Sequence, residues 1–81
     1  MTNADKMFKE LGYDKLETGY YITYRKKYET HTAYIEFNKA QKTICTTIIE
    51  KEPKGCGIWQ DFNAQKIEAI YEKCKELGWL N

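Results

Sequence analysis

The sequence predicts an α+β fold of two layers, α-β-β-β-α, in which an antiparallel meander sheet carries its helices on one face. Three observations predict it. Apolar residues recur with a period near 3.6 at both ends of the chain, they alternate with a period of two through the middle, and short polar segments join the middle runs.

Thr2 stands three residues ahead of Asp5 in the manner of a capping box, and Ala4, Met7, Phe8 and Leu11 then form one apolar stripe, so a first helix starts here. Gly12 ends it. Glycine suits the left-handed position just beyond a helix, and Tyr13 is placed to fold back as the apolar partner of the cap. Residues 20–26, 32–38 and 43–50 are rich in Tyr, Ile, Thr and Phe and read as three strands.

Four-residue loops at 27–30 and 39–42 pair Ile22 with Ile35 and Ile35 with Thr46. That register gathers Tyr20, Ile22, Tyr24, Ala33, Ile35, Phe37, Ile44, Thr46 and Ile48 on the core face. The opposite face receives Tyr21, Thr23, Arg25, Thr32, Tyr34, Glu36, Cys45, Thr47 and Ile49.

The segment KEPKGCGIWQ at 51–60 holds the only proline and reads as a loop, with a brief edge strand at 58–60 that would make the sheet four-stranded. Asn63 is an N-cap, and Ile67, Ile70, Tyr71, Cys74 and Leu77 make the stripe of a second helix. Gly78 stops that helix, with Trp79 and Leu80 packing back. KELGY at 9–13 and KELGW at 75–79 read as one capping solution used twice.

With 81 residues the chain is expected to form a single domain over 1–81. Its 13 basic and 12 acidic residues leave a net charge of +1, which argues against affinity built on neutralising many phosphates. There is no apolar run of about 18 residues, and the mixed charge of MTNADKMFKE is unlike a signal peptide. A soluble, cytoplasmic protein without a membrane partner is therefore expected. Cys45, Cys56 and Cys74 are odd in number and contain no C-x-x-C, so they read as reduced thiols rather than a disulfide framework or a zinc site.

No set of residues spells out a reaction, and neither an enzyme nor a cofactor is expected. His31 is the single histidine, in the turn YETHT, and Glu29 is a poor partner for a general base there. A nucleophilic Cys56 would have to recruit that distant histidine. Glu50, Glu52 and Asp61 are interleaved with Lys51 and Lys54, which would repel a metal ion. The GCG at 55–57 lacks the spacing of a phosphate-binding loop.

Binding is the better expectation. The outward sheet face, with Tyr21, Thr23, Arg25, Tyr34, Glu36 and Thr47, makes an amphipathic patch of the kind enriched in protein interfaces, and Trp59 is a second anchor. An alternative reading is a single-stranded nucleic-acid binder that stacks bases on Tyr24 and Tyr28 beside Arg25, Lys26 and Lys27. A third is a homodimer, joined through the sheet face or a free strand edge.

ADKMFKELGYDK at 4–15 and IEAIYEKCKELGWLN at 67–81, around a strand region rich in Tyr and Ile, resemble small proteins encoded by phages and prophages of Firmicutes. The resemblance implies a protein made in a bacterial cytoplasm by a mobile element, and it brings no activity or catalytic residue with it. By that context the partner would be a host or phage protein. The specific expectation is a stoichiometric inhibitor of a bacterial host or defence protein, anti-CRISPR-like in mode.

Overall fold

The computed structural model describes residues 2–50 and 61–80. Six elements follow one another: α1 (Asn3–Glu10), β1 (Asp14–Glu17), β2 (Tyr21–Lys27), β3 (His31–Asn38), β4 (Thr43–Glu50) and α2 (Ala64–Glu76). The strands form one antiparallel sheet in the order β1-β2-β3-β4, and the helices lie on one face of it. This is the expected α+β meander, with one strand more than the three read from periodicity. The additional strand is β1, DKLE, too short and too charged for its alternation to stand out; the expected edge strand at 58–60 lies outside the described residues.

Both helices start and stop as their sequences dictate. The Thr2 hydroxyl accepts from the Asp5 N–H at 3.2 Å, and the Asn63 side chain accepts from the Lys66 N–H at 2.9 Å. At the other ends, Gly12 and Gly78 take φ of 94° and 73°, and the N–H groups of Tyr13 and Trp79 reach back to the carbonyls of Phe8 and Cys74. These are two Schellman caps. Each cap directs an aromatic ring onto the core: Tyr13 meets Phe8 edge-on at 5.8 Å, and Trp79 meets Phe37 at 6.0 Å.

The core is aromatic. Phe8 of α1 stacks on Tyr24 of β2 with centroids 3.9 Å apart, and Phe37 of β3 presents its edge to both rings. Ala4, Ile22, Ala33, Ile35, Ala69 and Cys74 complete the buried apolar set among the described residues. The inward face is the expected one for β2 and β3, yet the register between them differs. Ile22 pairs with Phe37 and Tyr24 with Ile35, because Tyr28 and His31 close a tight turn whose tip is residues 29–30. A shift of two residues keeps every side chain on its own face. Ile35 pairs with Thr46 as expected, across the four-residue loop 39–42.

Four expected core positions are not in the buried core, Ile48 among them at half-burial. Tyr20 precedes β2 and is 68% exposed, while Ile44 and Thr46 on β4 remain exposed because the helix layer covers β2 and β3 and stops short of β4. The second helix is also turned from its expected stripe. Ile67 and Tyr71 lie open, Ile70, Cys74 and Leu77 meet the core as expected, and Lys66, Ala69 and Lys73 are buried beside them. The cause is electrostatic. Asp5 and Glu76 attract the Lys73 ammonium into the seam between the helices, and its aliphatic stem then takes the place of an apolar side chain.

Candidate protein-binding face of the sheet

The register places the outward side chains in rows across the strands. Asp14, Arg25, Tyr34 and Thr47 form one row, Leu16, Thr23, Glu36 and Cys45 the next, and Tyr21, Asn38 and Thr43 a third. Tyr21 and Tyr34 therefore stand two rows apart, with the Thr23 and Glu36 pair between them, rather than as the near neighbours of the expected register. Thr23 donates to the Glu36 carboxylate at 3.4 Å, and the Arg25 guanidinium lies 3.9 Å from Asp14. The Arg25 Nε is buried without a hydrogen-bond partner.

Tyr21, Leu16 and Ile49 are the exposed large apolar groups of the face, at 40%, 41% and 57%, Ile49 standing in a further row with Lys27 and Thr32. Leu16 was not foreseen, because the strand that carries it was not. The face thus combines an acid and base pair, hydroxyls, a thiol and three apolar anchors. Trp59 lies outside the described residues, as does Cys56.

The hairpin cluster divides. Tyr24 points inward, 1% exposed, and its hydroxyl donates to Asp5 at 2.6 Å, so it offers no ring to a base. The Lys26 ammonium donates to the Leu11 carbonyl at 2.9 Å, at the end of α1. Tyr28 stacks on His31 at 4.5 Å with Lys26 above its ring at 5.1 Å. Arg25 lies on the outward face, leaving Lys27 at the exposed end of β2. His31 also has the Thr30 hydroxyl at 3.0 Å from its Nδ1, and opposes Glu50 across the β3 and β4 pair.

Behind the sheet, an ionic group fastens the elements. The Asp5 carboxylate accepts from Tyr24, Lys15 and Lys73, and Glu76 accepts from both Lys73 and the Ala4 N–H. Burial alone would raise the Asp5 carboxyl, but the hydrogen bonds from Tyr24 and Lys15 and the charge of Lys73 hold it well below the usual carboxylate range. Burial and then the bond to Asp5 push the Tyr24 phenol up, and burial with the nearby Tyr28 pushes Tyr13 to about 12. Burial likewise raises the Cys74 thiol.

Asp5 and Tyr24 are bonded to one another, and Tyr13 and Cys74 owe their shifts chiefly to burial. The groove between the helices is lined by Met7, Glu10, Leu11, Gln65 and Glu68, with two carboxylates and no nucleophile among the described residues. Among the described residues no three His, Cys, Asp or Glu side chains could hold a metal ion, and no helix is long and apolar enough to cross a membrane. No family model, curated protein or solved structure matches the chain.

Proposed function

We propose that this chain is a non-enzymatic protein-binding module that docks through the outward sheet face. The supporting observation is the row Asp14, Arg25, Tyr34, Thr47 beside Leu16, Thr23, Glu36, Cys45, which puts an arginine with a buried Nε on the side opposite both helices, together with the exposed apolar groups Leu16, Tyr21 and Ile49. Arginine and tyrosine carry much of the energy of protein interfaces. The partner class is a bacterial host or defence protein, blocked stoichiometrically. Support for that class comes from the resemblance of both chain ends to phage-encoded proteins.

A photo-crosslinking residue placed at Tyr21 or Thr47 is expected to capture one bacterial protein in the cell, whereas the same residue at Lys9, on α1, captures none. Tyr21→Ala with Tyr34→Ala abolishes that capture while leaving the fold intact. Equal capture from Lys9, or capture unaffected by the double substitution, removes the assignment. Tight single-stranded DNA or RNA binding that weakens steeply with salt would favour the hairpin reading instead.

A further inference from the structure

We propose that the outer edge of β4, which no strand among the described residues covers, is the seat of a symmetric dimer, its occupant being β4 of a second copy of this chain in antiparallel pairing with Thr46 opposite Thr46. The two edges of the sheet are unlike. β1 spans four residues, and Asp14, Lys15 and Glu17 are charged. Short, charged strands blunt an edge against further pairing. β4 spans eight residues, TICTTIIE, with a single charge at its last position and no proline. Its register with β3 runs unbroken from Thr43 to Glu50, without a bulge. Such an edge is a template for another strand.

The groups it offers follow from the ladder. Tyr28 and Lys39 donate to the carbonyls of His31 and Tyr20, so the odd residues of β3 turn their backbone toward β2. Alternation turns the even residues of β3 toward β4, where their opposites are Thr43, Cys45, Thr47 and Ile49. The N–H and C=O groups of Ile44, Thr46, Ile48 and Glu50 are left pointing away from the sheet, and among the described residues no strand pairs with them.

A second copy fits this edge in charge and in shape. With Thr46 on the two-fold axis, Ile44 meets Ile48 of the second copy, Cys45 meets Thr47 and Thr43 meets Ile49, each pair occurring twice, and Lys42, the turn residue of positive φ just ahead of the strand, comes beside Glu50 one position beyond the last pair. Sliding by two residues sets Ile44 against Glu50 in one direction and Lys42 against Ile48 in the other. Among the described residues neither Lys42 nor Glu50 is held in an ion pair. Ile44 is 39% exposed and Thr46 is open on the inner face, so pairing sets Ile44 beside Ile48 of the second copy where the helices leave the strand bare. The assembly closes at two copies, because each remaining edge is a blunted β1.

Sedimentation equilibrium over a range of concentrations is expected to give the mass of two chains. Lys42→Glu and Glu50→Lys each weaken association about tenfold by setting like charges opposite one another, and the two together restore it. Thr46→Pro abolishes association and keeps the monomer's circular dichroism, since the Thr46 N–H serves no bond to β3. The amides of Ile44, Thr46 and Ile48 exchange more slowly as concentration rises. A single-chain mass at every concentration, charge swaps without effect or without mutual rescue, or amide protection independent of concentration each overturns the proposal.

Discussion

Lys73 shows how one buried charge is made tolerable. It is 4% exposed, yet its ammonium lies 3.3 Å from both Asp5 and Glu76 and 5.9 Å from the Tyr24 ring centroid. Removing one partner of such a group costs more than removing the charge itself. Asp5→Asn is therefore expected to destabilise the fold by about 3 kcal/mol, because Lys73 and Lys15 lose a counter-ion and Tyr24 is left with a neutral acceptor in place of a charged one. Lys73→Met, which keeps the stem and leaves Asp5 bonded to Tyr24 and Lys15, should cost about 1 kcal/mol. Urea titration of the two variants checks the order, and the reverse order would show that Asp5 is not the hub. Neither role was legible in the sequence, where a lysine between helical apolar positions reads as a solvated one.

The same comparison at the level of elements separates the two helix ends that share the string KELG. Both glycines have positive φ, but a Cβ on Gly12 would meet the Lys26 Cε at 3.1 Å, whereas at Gly78 it would meet nothing within 4 Å. Gly78→Ala is expected to cost about 1 kcal/mol of backbone strain, and Gly12→Ala about 2 kcal/mol, since it also crowds Lys26 away from the Leu11 carbonyl. Thermal melts of the two variants measure that difference. On α2, Ala69→Leu should destabilise by about 2 kcal/mol through overpacking, and Ile67→Glu by no more than about 0.5 kcal/mol. A helix that buried its apolar stripe would give the opposite result. The caps were legible because local chemistry sets them. The rotation of α2 was not, because it depends on a carboxylate nearly seventy residues away in sequence.

For the whole molecule, the pH range of stability follows from the same buried groups. Asp5 has its folded pKa lowered, so its contribution is complete above about pH 4, the unfolded value, and is lost as the pH falls further. Tyr13 has its folded pKa raised from 10.0 to about 12, so its contribution holds below pH 10 and is lost as the pH rises through that interval. Unfolding free energy measured across pH should fall on both sides of that plateau, and Asp5→Asn should flatten the acid side. The alternation that assigns side chains to the two sheet faces was readable, since parity survives a register shift of two. The extent of the helix layer was not, since nothing local tells β4 that Ile44 will stay uncovered. The bond from the Ala4 N–H to Glu76 carries a mechanical consequence. A load applied between residues 2 and 80 falls first on the contact of α1 with α2, so the helices part under tension while the hairpins, lying off the line of force, still hold their hydrogen bonds.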